Sequence, residues 1–251
     1  MTNFTSLGRW QWVEYEEIES TNDEALRLNT DFKEPCNIIV TAHHQTKGRG
    51  RRGRDWVSLD GNLFMSQVLC WDYSNIGALV LISGLAILHT VKQLSSTADV
   101  KLKWPNDVLL ENKKVSGILL EITPDGNVIV GIGVNISKAP QNHKIIYAAT
   151  SLRDNGIACE RISFMRQYLE HFDNLCSSYN QQGISFISNL WLKFAAGLNE
   201  KITVNNFNKE QKGIFRGINQ KGMLLLEQED GTIVTVGAGD VFFDDNGENN
   251  K

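Results

Sequence analysis

Apolar and polar positions alternate in short runs along the first half of the chain, with turn residues between the runs. Ile38-Ile39-Val40 reads as a buried strand that leads straight into a glycine- and arginine-rich stretch. Leu63–Leu69 reads as a second strand, and Ile76–Leu94 as a long, central apolar helix. Val100-Lys101-Leu102-Lys103-Trp104 alternates like a strand and is stopped by Pro105. Val108–Leu110 and Val115–Ile122 make a hairpin with its turn at Glu111–Lys114, and Asp125-Gly126 turns the chain into Val128–Val134. Upstream, Ser20-Thr21-Asn22-Asp23-Glu24 reads as a helix start. Thr21 and Glu24 stand in capping-box relation there, and Ala25, Leu26 and Leu28 follow.

The period changes after residue 160. Phe164, Tyr168, Phe172 and Leu175 are spaced for one helix face, and Phe186, Leu190, Trp191 and Phe194 for another. From Glu200 the runs shorten to about five strands with turns at Asn219–Gly222 and Asp230-Gly231, which predicts a small β-barrel. The fold class is therefore α+β: a mixed or antiparallel sheet packed with helices, plus a small C-terminal barrel. The boundary falls near Gly197, giving domains at 1–197 and 198–245 and a polar, disordered tail at 246–251.

Composition narrows the setting. The chain has 251 residues, 41% apolar and 22% charged, with a formal charge of −4 and a pI near 5.8. That is an ordinary soluble globular composition, and it argues against wholesale nucleic-acid binding. Cys36, Cys70, Cys159 and Cys176 are widely spaced with no C-x-x-C, which suggests reduced thiols in a cytoplasmic protein and no zinc. The N-terminus has no apolar signal region, and the apolar stretch at 76–91 is short and mixed for a membrane span.

The richest chemistry lies in Gln45-Thr46-Lys47-Gly48-Arg49-Gly50-Arg51-Arg52-Gly53-Arg54-Asp55-Trp56. Glycine lets a backbone approach a ligand closely, and arginine offers a fixed fork of donors to phosphate and carboxylate. The pattern points to a loop that wraps an anion; an RNA-binding segment and a plain solvated loop are the alternatives. Gly48, Gly50 and Gly53 also match a dinucleotide fingerprint, but a strand follows instead of a helix. The P-loop pattern fails because Arg54-Asp55 stands where Lys and Ser or Thr are required.

Other motifs carry two readings each. Lys103-Trp104-Pro105-Asn106-Asp107 is either a strand ending in an Asx turn or a site at a strand end, with Lys103 facing an anion. Gly131-Ile132-Gly133-Val134-Asn135, and Gly117 likewise, mark close approach of a ligand or tight packing. Ser20-Thr21-Asn22 is a helix cap or a polar-ligand site at a helix N-terminus. His43 and His44 are adjacent on a strand and point to opposite faces, so they cannot chelate one metal together. There is no metal-spaced cluster and no nucleophile triad.

Taken in order, Ser20-Thr21-Asn22, Gln45-Thr46, Gly48–Gly53 with Trp56, Gly61-Asn62-Leu63, Lys103–Asp107, Lys114-Val115-Ser116-Gly117-Ile118-Leu119 and Gly131–Asn135 strongly resemble biotin–protein ligase. More weakly, Gly213–Ile218 and Gly222–Leu226 resemble that family's SH3-like C-terminal domain. The resemblance implies an enzyme that joins biotin to ATP as biotinyl-5′-AMP and then transfers biotin to a lysine of a biotin carboxyl carrier protein. It implies biotin contacts from Ser20, Thr21, Asn22, Gln45, Arg49, Gly50, Arg51, Lys103 and Gly117. It implies nucleotide contacts from Arg51, Arg54, Trp56, Lys103, Asn106 and Asn135, with Lys103 and Arg51 as the catalytic cations. Biotin and Mg²⁺-ATP enter as substrates, and no resident cofactor or protein metal site is implied.

The residue types suit that chemistry. A neutral ureido group asks for Ser, Thr, Asn and Gln. A carboxylate attacking a phosphate needs no base, only positioning and cations, so the missing triad is expected. The second step must deprotonate an amine, for which Asp107 is the candidate base. Some family members carry a DNA-binding domain before the Ser-Thr-Asn motif. Only 19 residues precede Ser20 here, so the expectation is a monomer or homodimer with no specific DNA and no membrane partner. The alternatives are a lipoate–protein ligase and, from another class, a non-catalytic RNA-binding protein.

Overall fold

The computed structural model describes residues 3–31, 36–72, 75–141, 148–206 and 209–243; the tail expected to be disordered lies outside them. Eight strands form one sheet: β1 (Thr5–Leu7), β2 (Trp10–Ile18), β3 (Ile38–Gln45), β4 (Leu63–Leu69), β5 (Val100–Lys103), β6 (Asp107–Leu110), β7 (Lys113–Ile122) and β8 (Val128–Val134). Their order is β1-β2-β3-β4-β8-β7-β6-β5. Only β2 and β3 run parallel, joined by the crossover helix α1 (Thr21–Asp31).

Side-chain alternation sorts the two faces of this sheet. On β8, Val128, Val130, Ile132 and Val134 join the main core with α2 (Ile76–Leu94) and α3 (Arg161–Leu192). Ile129 points the other way, into the smaller core under α1 with Val40, Val68, Ala25 and Leu28. Gly131 and Gly133 share that α1 face, so the sheet is bare beyond the small core. The site forms on this bare ground. α2 is apolar enough to cross a membrane by length, but it is packed within the main core.

After α3 the chain enters a second, all-antiparallel sheet. Its strands are β9 (Lys201–Asn206), β10 (Lys209–Ile218), β11 (Leu224–Glu227), β12 (Ile233–Val236) and β13 (Asp240–Phe243), in the order β12-β11-β10-β9-β13. A bulge between Phe215 and Gly217 bends β10, as an SH3-like module requires. Among the described residues the end strands β12 and β13 do not pair with each other, and the five-stranded antiparallel sheet is consistent with the small SH3-like module expected. The module docks firmly: a Cβ on Gly77 of α2 would meet the Lys221 carbonyl at 2.1 Å, and Trp104 Nε1 donates to the Gly222 carbonyl at 2.9 Å.

Three local expectations are corrected. The N-cap of α1 is Ser20, whose hydroxyl accepts from Asn22 N at 3.2 Å. Glu24 makes no capping box; its carboxylate is drawn to the Tyr15 hydroxyl at 2.5 Å and to Arg27. The β6–β7 turn is tighter than expected, with only Glu111 and Asn112 at positive φ. Finally, Cys36 and Cys70 form a disulfide with Cα atoms 5.4 Å apart. The β3–β4 register pairs Ile38 with Val68, which sets residues 36 and 70 opposite each other. Cys159 and Cys176 are free.

Candidate active site

The arginine- and glycine-rich stretch folds back on itself as a small flap. Trp56 N donates to the Gly48 carbonyl at 2.9 Å, and Gly50 N to the Arg54 carbonyl at 2.7 Å. Arg52 sits at the tip with φ 59°, ψ 35°, and Gly53 also has positive φ. The root is fixed by Thr46 N to the Ile18 carbonyl and Lys47 N to the Glu19 carbonyl. The flap covers a cavity of about 430 Å³ on the α1 face of the sheet.

One end of the cavity is polar and built of neutral groups. Gln45 Oε1 accepts from Thr21 N at 2.8 Å and Thr21 Oγ1 at 3.1 Å. Its amide nitrogen is therefore left for a ligand. Ser66 Oγ shares its single proton between Thr21 Oγ1 at 2.8 Å and Asn22 Oδ1 at 2.5 Å. Ser20, Thr21, Asn22, Gln45 and Ser66 are all buried, so each rotamer is set by the network before any ligand arrives.

The floor is made by glycines from two strands. Gly117 of β7 is the register partner of Gly133 of β8, and the Trp56 ring lies on both. A Cβ would meet that ring at 2.9 Å from Gly117 and 2.3 Å from Gly133. Gly131 makes the same allowance for Asn22, at 2.3 Å. The close approach read from these glycines is thus to side chains of the site itself. Trp56 Nε1 is buried with no hydrogen-bond partner among the described residues.

The other end is cationic. Lys114 Nζ lies 2.6 Å from Asp107 Oδ1 and 5.5 Å from the centre of the Trp56 ring. Arg51 donates to Asn106 Oδ1 at 3.0 Å, and Asn106 Nδ2 to the Ile118 carbonyl at 2.6 Å. Burial presses the Arg51 pKa down, because a charged guanidinium loses hydration there. Arg52 and Arg54 both pair with Asp240 of the C-terminal sheet. Burial works against the Asp240 carboxylate, but these guanidiniums prevail and hold its pKa below the usual value.

Ser20, Thr21, Asn22, Gln45, Arg49, Gly50, Arg51, Arg54, Trp56, Asn106, Gly117 and Asn135 all line this one cavity. Asn135 is engaged by the protein, donating to the Thr150 carbonyl at 3.1 Å. Arg49 turns its guanidinium to Asp23 and Glu121. Lys103 is the exception. It is buried with its Nζ 5.4 Å from the Phe243 ring, within electrostatic reach of Asp107, Lys114, Asp240 and Arg54, which line the cavity. Burial pulls its pKa down to about 8, against the opposing pull of Asp107. The lysine in the wall is Lys114, three residues before Gly117 and inside the same motif, yet assigned no role from sequence. Ser66 was also missed. Its signal was a polar Ser66-Gln67 pair amid an apolar strand, where burial demands partners; Gln67 finds the Tyr168 hydroxyl at 2.8 Å.

A polar recess for a neutral head group, joined under an arginine flap to a cationic end, defines an acyl-activating, nucleotide-using ligase. Residues 15–137 match the Biotin/lipoate A/B protein ligase family and residues 197–244 the Biotin protein ligase C terminal domain. The chain belongs to the biotin protein ligases of that family. It is 36% identical to the biotin--[acetyl-CoA-carboxylase] ligase of Paracoccus denitrificans, over 90% of this chain and 97% of that protein. It is 30% identical to the enzyme of the same name from Mycobacterium tuberculosis, over 88% of this chain and 85% of that one. The biotin protein ligase of Aquifex aeolicus, solved in complex with biotin and ATP, superposes with a TM-score of 0.80 at 27% identity, covering 92% of this chain and 97% of that one.

Proposed function

We propose that this chain activates biotin with ATP and transfers it to a lysine of a biotin carboxyl carrier protein, the acceptor subunit of acetyl-CoA carboxylase. The observation that carries the reading is the joining of two opposite chemistries in one cavity. Hydroxyl and amide groups of Ser20, Thr21 and Gln45 suit an uncharged ureido ring. Arg51, Arg54 and Lys114 suit two anions that must meet.

In the first step a biotin carboxylate oxygen bonds to the α-phosphorus of ATP, the bond to the β-phosphate oxygen breaks, and pyrophosphate leaves. The nucleophile is already ionised, so the protein's task is electrostatic. Cations from the flap and from β7 lower the repulsion between the anions and the charge that develops on phosphorus. In the second step the acceptor amine bonds to the acyl carbon, AMP leaves with the electron pair, and one amine proton is lost. Asp107, ion-paired to Lys114 in the cavity wall, is the candidate proton acceptor.

Mg²⁺ would enter on the ATP phosphates and add charge neutralisation. Asp107 and Asp240 offer hard oxygen donors nearby, and both are already ion-paired. No three His, Cys, Asp or Glu side chains gather into a dedicated metal site among the described residues. The proposal includes no DNA partner. Before Ser20 the chain supplies strands β1 and β2 of the catalytic sheet.

The test mixes purified protein with Mg-ATP and biotin, then adds an acceptor domain. The expected result is biotinyl-AMP and pyrophosphate, followed by a biotinylated lysine. Activity with lipoate and none with biotin would overturn the assignment.

A further inference from the structure

Arg49 lines the cavity, yet its guanidinium is turned to two carboxylates. Its Nη1 and Nη2 donate to the two oxygens of Asp23 at 2.5 and 2.7 Å, and Nη2 reaches Glu121 at 3.4 Å. Asp23 stands in the first turn of α1, and Glu121 lies on β7. One flap residue therefore reaches both α1 and β7, which Asn22 and Glu121 already join.

The three side chains are partly exposed, at 38%, 46% and 38% for Arg49, Asp23 and Glu121. A lone pair at such exposure contributes little. Two features set this one apart. The Asp23 contact is bidentate, and the Glu121 carboxylate is held in advance by Asn22 Nδ2 at 2.6 Å. Asn22 is itself fixed by Ser66 and fitted against Gly131. The acceptor is preorganised, so less side-chain entropy is lost on pairing.

The arrangement also zones the charge of the cavity. With Asp23 and Glu121 beside it, Arg49 adds no net positive charge to the end built from Ser20, Thr21 and Gln45. The attraction for anions is left to the other end, where Arg51 donates to the neutral Asn106 and Lys114 pairs with Asp107.

We propose that Asp23 and Glu121 are positioning residues: they lock the Arg49 flank of the flap onto α1 and β7, and so set how long the biotinyl ligand is retained. The proposal rests on the ligase reading for its ligand but not for its geometry. Arg49 pairs across the flap with Asp55, next to Trp56, so releasing Arg49 loosens the segment that rests on the Gly117–Gly133 floor.

The test uses Asp23→Asn, Glu121→Gln and the double variant, with Asp23→Glu as the conservative control. Each is loaded with biotin and Mg-ATP, and loss of bound biotinyl-AMP is followed after a chase of unlabelled biotin. Neutral variants should release the adenylate about two- to fivefold faster, the range expected when a partly exposed ionic contact is lost. Asp23→Glu should stay near wild type. Added salt should speed release from wild type more than from the double variant. Equal release rates in wild type and double variant would overturn the lock. A second arm needs no ligand: trypsin should cut within Arg49–Arg54 faster in the unliganded double variant than in unliganded wild type. Wild type that makes no adenylate would refute the ligase reading, and the trypsin arm would still decide the lock, equal cleavage counting against it.

Discussion

The Trp56 ring rests on Gly133, so close that a Cβ at that position would lie 2.3 Å from the indole. Gly133 follows the ordinary extended backbone of β8, so alanine is compatible with its dihedrals. What alanine cannot do is share the space. Gly133→Ala should displace Trp56, cost about 1–3 kcal/mol of stability as overpacking does, and raise the KM for biotin and ATP together. A melting curve and initial-rate kinetics check it; wild-type kinetics would show that the indole's seat is dispensable.

Lys114 and Lys103 should part company. Lys114 lines the cavity and Lys103 does not. Lys114→Ala should lower adenylation by roughly 10²- to 10³-fold, the range for losing one preorganised electrostatic donor, with the fold retained. Lys103→Met should lose far less. Rates of pyrophosphate release from both variants make the comparison. The reverse ranking would make Lys103 the principal cation.

Lys103 also predicts a pH signature. Its pKa is about 8 in the folded protein against an ordinary 10.5. Below pH 8 both states hold the proton, and the cost of burying the charge is fully present. Between pH 8 and 10.5 the unfolded chain binds a proton that the folded chain does not, so this group makes stability rise with pH across that window. Lys103→Met should flatten that rise and stabilise the protein near neutral pH by up to about 3 kcal/mol, at about 1.4 kcal/mol per pKa unit. Urea unfolding at pH 7 and pH 10 measures both.

Asp240 joins the C-terminal sheet to the flap tip through Arg52 and Arg54. Asp240→Asn removes the charge shared by two arginines and should weaken ATP binding more than biotin binding. Because its folded pKa is lowered, the wild-type contribution is complete above the ordinary carboxylate value of 3.8 and is lost as acid protonates it. Calorimetric titration with each ligand alone separates the two effects. Equal weakening of both would show a general structural role.

The sequence by itself determined whatever depends on neighbours along the chain. The Val108–Val134 hairpins, the apolar helix at Ile76–Leu94, the chemistry of Gly48–Arg54 and the short C-terminal strands all follow from local period and turn residues. The ordered motifs at Ser20–Asn22, Gln45, Gly117 and Gly131–Asn135 likewise named most of the cavity wall. Tertiary structure alone decided the rest. β2 was not legible because its acidic positions, Glu14, Glu16 and Glu17, obscure a strand whose partner is parallel and reached only through α1. Lys114 reached the cavity wall through the β6–β7 register, which shifts between Val108 and Leu109 and sets Asp107 opposite Gly117. Asp240 found Arg52 and Arg54 across 188 and 186 residues, and Cys36 found Cys70 across 34. Such pairings are fixed by sheet register and domain docking, quantities that no local pattern of side chains encodes.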